Sequence, residues 1–161
     1  MSAMNGTNPN DLRLNELYQE VILDHNKRPR NFGKLAEPHH SAHGKNPLCG
    51  DDYFVYLAVD ASGKIEQVAF EGSGCAISKA SASMMTALVK DKTAGEAEAL
   101  KDNFIRLLTD RALSKETLSR AGSLKIFEGV RQFPIRVKCA TLAWRALEEA
   151  LKGSSKEVST E

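Results

Sequence analysis

Two short runs limit what this chain can become. Residues 52–60 (DYFVYLAVD) are aromatic and β-branched, and residues 65–70 have the same character. Ser62-Gly63 supplies a turn between them, so the pair reads as an antiparallel hairpin. Every other long periodic stretch reads as helix. Leu14, Leu17, Tyr18, Val21 and Ile22 recur at helical spacing, so residues 11–26 form an amphipathic helix that Pro29 stops. Residues 31–47 are rich in Gly, Pro, His and Asn and read as loop. Residues 77–90 form a helix carrying Ala80, Ser81, Ala82 and Ser83, small enough for close approach to another backbone, with Met84 and Met85 filling core. Thr93 and Glu96 fit a capping box opening a helix to about residue 109, with Leu100, Phe104, Leu107 and Leu108 on its inner face. Residues 111–125 are helical in part, with Ser114 as a cap. Phe133-Pro134 breaks the pattern, and Cys139 starts the last helix, 139–151. The expected fold class is α+β, a small antiparallel sheet with helices packed on one side. It occupies residues 11–152, and the flanks 1–10 and 153–161 read as disordered.

A formal net charge of +1 leaves no strong field for nucleic acid or an anionic membrane surface, so neither is an expected partner. No apolar run approaches the ~20 residues a spanning helix needs. The polar N-terminus lacks the order of a signal peptide, which points to the cytoplasm. There are three cysteines, an odd number that cannot pair fully within the chain, and in a reducing compartment such residues are metal ligands, reactive thiols or buried apolar groups.

Each cysteine stands in a distinctive context: Asn46-Pro47-Leu48-Cys49-Gly50-Asp51, Gly72-Ser73-Gly74-Cys75, and Arg136-Val137-Lys138-Cys139. All three read as junctions between a loop and a regular element. Unpaired N–H groups and a helix N-terminus there favour thiolate. Arg136 and Lys138 push the same way. Three thiolates and one carboxylate would fill a tetrahedral zinc shell. Cys49 and Asp51 are two apart, with a glycine between them that frees the backbone to bend round an ion. The harder carboxylate ligand makes for a shell that exchanges more readily than one of thiolates alone. His39, His40 and His43 precede Cys49 in a Pro/Gly stretch and read as exposed rather than ligating. His25, near the end of the first helix, reads as completing that helix end with its charge favoured. Trp144 reads as packing.

The chain resembles the U-type iron–sulfur assembly proteins, the IscU and NifU N-terminal-domain family, and is most similar to its SufU branch. The resemblance runs from about Leu14 to Leu151. It rests on Leu17-Tyr18, Val21-Ile22-Leu23-Asp24-His25 and Pro29-Arg30-Asn31; on the Cys49 motif; on the stretch from Gly72 through Ala76-Ile77-Ser78-Lys79 to Met85; and on Phe133-Pro134-Ile135 through Cys139-Ala140-Thr141 to Trp144. Lys138 stands where the IscU branch has a histidine, the Leu-Pro-Pro-Val-Lys chaperone motif is absent, and the Cys75–Cys139 segment is long, with its extra residues placed within 111–131. The resemblance implies zinc held by Cys49, Asp51, Cys75 and Cys139. It implies a SufS-type cysteine desulfurase that hands persulfide sulfur to Cys49, a desulfurase histidine displacing that cysteine from zinc, and delivery to downstream iron–sulfur assembly proteins. Arg136 matches an arginine that helps dock the desulfurase. Two other functions fit the same ligands: a scaffold holding a [2Fe–2S] cluster, and a structural zinc module.

Overall fold

The computed structural model describes residues 9–38, 40–153 and 157–160. Its elements in chain order are α1 (Pro9–Lys27), β1 (His40–Asn46), β2 (Asp51–Val59), β3 (Ile65–Ser73), α2 (Ala76–Val89), α3 (Ala94–Thr109), α4 (Lys115–Ala121), a 3-10 segment (Gly122–Gln132), α5 (Pro134–Leu151) and β4 (Glu157–Ser159). The expected hairpin is β2 and β3, antiparallel, with Tyr53, Val55 and Leu57 turned inward and fully buried.

The sheet is larger than expected and mixed. Its order is β3-β2-β1-β4, with β1 antiparallel to β2 and parallel to β4. The stretch expected to be loop thus contains β1. The reason it does not read as a strand lies in what covers it. Ala42, Gly44 and Asn46 face inward, and a Cβ on Gly44 would sit 3.1 Å from Leu142 Cδ1 and 3.3 Å from Ala146 Cβ. With α5 lying directly on it, β1 needs small inward residues rather than the β-branched ones that signal a strand. The C-terminal flank is also corrected: residues 157–159 form β4, and Thr160 N–H bonds Lys45 C=O. Residues 1–8 of the N-terminal flank lie outside the described residues, and Pro9 and Asn10 are already helical.

The helices pack on the inner face. Small buried residues of α2 bring it against α5, where Trp144 Nε1 donates to Ser81 Oγ at 3.1 Å and Ser81 donates to Ala140 C=O at 2.6 Å. Trp144 is wholly buried and stacks near Phe104, which meets Phe127 edge-on, so α3 and the 3-10 segment share this core. The Thr93–Glu96 capping box forms as expected, and Ser114 caps α4 by accepting the Thr117 N–H.

Helix α1 departs from expectation. Leu14, Leu17 and Val21 are exposed, and Ile22 is the member of that stripe packed on the core. His25 Nδ1 lies 2.7 Å from Ser83 Oγ on α2, where burial, followed by the charge of Arg30, lowers its pKa. Its charge is therefore opposed rather than favoured, because packing outweighs the helix-end field.

Candidate metal centre

Cys49 sits on the turn between β1 and β2, and Asn46 organises that turn. The Asn46 carbonyl accepts N–H bonds from Cys49 (3.2 Å) and Gly50 (2.9 Å), and its Oδ1 accepts from Leu48 N–H (3.1 Å). Gly50, at φ +74°, reverses the chain at a conformation other residues resist. Asp51 then opens β2 with its carboxylate on the inner face, 1% exposed. Across from it lies the early part of α5. There Cys139, 3% exposed, brings its sulfur to 3.2 Å from that of Cys49. One ligand atom each from Cys49, Asp51 and Cys139 all fall within 4.8 Å of one another.

Cys75 belongs to the same neighbourhood but is engaged differently. Its N–H donates to Asp51 Oδ1 at 2.9 Å, while its sulfur is the N-cap of α2 and accepts the Ser78 N–H at 3.4 Å. Its side chain is exposed and its sulfur is outside the three-atom group. The loop that carries it admits no side chain at Gly74. A Cβ there would meet the Asp51 carboxylate, Ser78 Oγ at 2.6 Å and Tyr53 Oη at 2.7 Å.

One junction is misplaced by the sequence. Phe133 interrupts the helical pattern as expected, in extended backbone between the 3-10 segment and α5, but Pro134 already begins α5, because proline suits the first helical turn, where its missing N–H costs nothing. Cys139 is therefore inside the helix rather than at its start, and it is Cys75 whose sulfur meets a helix N-terminus, accepting the Ser78 N–H. Burial pushes the Cys139 thiol well above its ordinary range, and the Asp51 carboxylate and Cys49 sulfur beside it push further. Alone, this cluster resists taking on negative charge.

A cation resolves that conflict, and an independent observation asks for one. Asp51 Oδ2 is buried without a hydrogen-bond partner. Leaving such a group unsatisfied costs about 1–3 kcal/mol. Two sulfurs and a carboxylate oxygen that face one another, with Cys75 tied to the same carboxylate through its backbone N–H, form a donor set suited to zinc or an iron–sulfur centre. The residues present fit the metal.

The remaining expected site residues are placed as follows. Arg136 is exposed and its guanidinium lies 4.7 Å over the Phe133 ring. Lys138 is half-buried and lines a cavity with Ile105, Leu108, Val158 and Thr160; it is not in the ligand group. His43 points to the outer sheet face, bonded to Asp52 (2.5 Å) and Glu157 (2.9 Å) and stacked on Phe54. His39 lies outside the described residues. Sequence reasoning missed Tyr53 and Ser78. The Tyr53 hydroxyl forms the floor of the site, 3.0 Å from Ser78 Oγ, with its proton held tightly through burial. Its position two residues after Asp51, on the same strand face, is the signal that could have found it.

Comparison with known proteins gives the chain a family. The family model for the NifU-like N terminal domain matches residues 17–140. The chain is 42% identical over 143 residues to the iron–sulfur cluster assembly scaffold protein IscU of Streptococcus pyogenes serotype M1, covering 89% of this chain and 87% of that one. It is 40% identical over 144 residues to the zinc-dependent sulfurtransferase SufU of Bacillus subtilis, covering 89% and 93%. The crystal structure of a nitrogen-fixing NifU-like protein (N-terminal) from Brucella abortus superposes with a TM-score of 0.76 at 30% identity, covering 87% and 95%. The chain belongs to the NifU-like N-terminal domain family, the IscU family of iron–sulfur cluster assembly proteins.

Proposed function

We propose that this protein is a cytoplasmic zinc-dependent sulfurtransferase that accepts persulfide sulfur at Cys49 from a SufS-type cysteine desulfurase and passes it to downstream iron–sulfur assembly proteins. The observation that carries this reading is the contrast among its sulfurs. Cys49 is half-exposed on a glycine turn, while its neighbours Cys139 and Asp51 are buried. Within the group that converges, the Cys49 sulfur is reachable and Cys139 anchors, while exposed Cys75 stands outside it with its sulfur held by the Ser78 N–H. The ligands in this reading are Cys49, Asp51, Cys75 and Cys139, with Cys75 turning from its Ser78 contact to join. Zinc, when bound, keeps these sulfurs deprotonated at neutral pH.

The transfer needs no oxidant. The Cys49 thiolate attacks the outer sulfur of the desulfurase persulfide, an S–S bond forms to Cys49, and the desulfurase cysteine leaves as its thiolate. Leu48, 71% exposed and next to Cys49, and Ile135, 64% exposed and one helical turn before Cys139, offer apolar surface for a partner. Arg136, resting on Phe133, offers a charge for the desulfurase to meet, and Lys138 tunes Cys139 from the preceding position.

Mixing the protein with a SufS-type desulfurase and cysteine tests this. Alanine production should rise and mass spectrometry should find one extra sulfur on Cys49, with both effects lost in Cys49→Ser. No rise and no adduct would overturn the proposal. The second reading, a scaffold for a [2Fe–2S] cluster, is favoured by the 42% identity to a protein named as a scaffold. Anaerobic purification that yields a stable coloured cluster, transferable to an apo-acceptor, would establish it instead.

A further inference from the structure

Asn46 carries the second unexplained polar atom of the site. Its side chain is 0% exposed, and among the described residues its Nδ2 has no hydrogen-bond partner. Asn46 is the direct cross-strand partner of Asp51, and both side chains face inward. Directly paired residues on one face hold their Cβ atoms about 5 Å apart. A buried donor and a buried acceptor thus stand side by side, each orphaned, and they do not bond to each other.

The rest of the asparagine explains why its amide is turned as it is. Oδ1 is committed to Leu48 N–H, and the carbonyl to Cys49 and Gly50. With Oδ1 held, Nδ2 is the only part of the side chain left to serve the site. Of the acceptors there, Asp51 Oδ1 is taken by Cys75 N–H, Asp51 Oδ2 is the oxygen a cation would claim, Cys75 Sγ holds the Ser78 N–H, and Tyr53 Oη and Ser78 Oγ hold each other. The Cys49–Cys139 sulfur pair is joined only through a thiol proton, and loses that bond when both sulfurs are thiolates.

We propose that Asn46 is a positioning residue whose Nδ2 donates an N–H···S hydrogen bond to a thiolate of this pair when the site is filled. This rests on the reading of the cluster as a metal centre. An N–H donor draws electron density from a thiolate, so it weakens that sulfur as an electron donor and as a nucleophile. Asn46 therefore does two things from one side chain. Its oxygen shapes the turn that presents Cys49, and its nitrogen restrains the reactivity of the sulfur that turn presents. Restraint of this kind suits a thiolate that must stay unreactive until a partner is docked.

Cobalt(II) is the probe. Wild type, Asn46→Leu and Asn46→Ser are each loaded with one equivalent, the sulfur-to-cobalt charge-transfer band is recorded, and alkylation of the loaded proteins by iodoacetamide is followed by mass spectrometry. Neither variant adds charge. Asn46→Leu deletes both the donor and the acceptor. Asn46→Ser deletes the amide donor while its hydroxyl oxygen can still accept the Leu48 N–H, so the turn survives in that variant. Both should move the band to lower energy and speed alkylation about tenfold, the effect of losing one hydrogen bond to a charged group. A role in shaping the turn alone would move neither reading in Asn46→Ser. Band and rate unchanged from wild type in a folded variant would overturn the inference and leave the metal centre standing. A wild type that shows no sulfur-to-cobalt band would overturn both.

Discussion

Helix α5 takes part in a polar cluster near each end, each with a buried member, and the two are compensated in opposite ways. Toward its C-terminus, Glu148 meets Lys101 of α3, which is 4% exposed and also reaches Asp102 (3.1 Å) and Glu98 (3.5 Å). There the cation is built into the chain. Its carboxylate partners hold Lys101 above its ordinary range against the opposing effect of burial, and the Lys101 contact holds Glu148 below its own. Toward its N-terminus, Cys139 meets Cys49 and Asp51, which supply no positive charge and leave a carboxylate oxygen without a partner. The first cluster is complete by itself and braces the fold. The second has no cation of its own among the described residues. Balance, rather than burial or proximity, is what separates a structural cluster from a functional one.

The largest effect expected from that contrast is a response to zinc at one end alone. Zinc at about a thousand times its Kd should stabilise the wild type by about 4 kcal/mol, and a chelator should remove the gain. Next in size is Lys101→Met. Breaking this pair strands Glu148 and should cost about 2 kcal/mol, reduced from the fully buried case because Glu148 is partly exposed. Denaturant melts should show the same loss with and without zinc. The double variant Lys101→Met, Glu148→Met should recover most of it, since an apolar pair replaces the ionic one. If zinc rescued Lys101→Met preferentially, the two clusters would be one coupled unit and the comparison would fail.

A smaller loss, about 1 kcal/mol and again blind to zinc, is expected for Thr93→Ala, which removes one half of the capping box on α3. The smallest effect concerns His25. Its folded pKa lies below the ordinary 6.5 through burial and then Arg30, so the unfolded chain takes up the proton first as pH falls. Stability should be unaffected above that pH and should decline by less than about 1 kcal/mol below it, an acid sensitivity that His25→Gln abolishes. Melts across pH 5–8 on wild type and variant would check this.

Much of this contrast was legible in the chain, and its gaps have physical causes. The hairpin residues Tyr53, Val55 and Leu57 announce themselves because they are large and alternate. The Thr93–Glu96 box is readable because capping is local. β1 is not readable, since the closeness of α5 replaces β-branched residues with Ala42 and Gly44. β4 gains its place by pairing with a strand over a hundred residues away, which no local pattern encodes. At the site, the motifs around Cys49 and Cys139 reveal two sulfurs and Asp51, and the structure brings those three together. Cys75 as the cap of α2, the start of α5 at Pro134 and Tyr53 beside Asp51 are local and could be read. The pattern could not reveal that the Cys75 sulfur stands outside the group that Cys49, Asp51 and Cys139 form, which depends on where β2 and α5 land.

The metal centre stands most directly on the orphaned oxygen of Asp51. Thermal melts of wild type and Asp51→Asn, each with and without saturating zinc, test it. Without metal, Asp51→Asn should be at least as stable as the wild type, because it keeps the acceptor for the Cys75 N–H while removing the uncompensated buried oxygen; with zinc the order should reverse, because an amide is a poorer ligand than a carboxylate. An Asp51→Asn protein less stable than wild type by the same margin in both states would show that Asp51 serves the fold, and would contradict the metal centre.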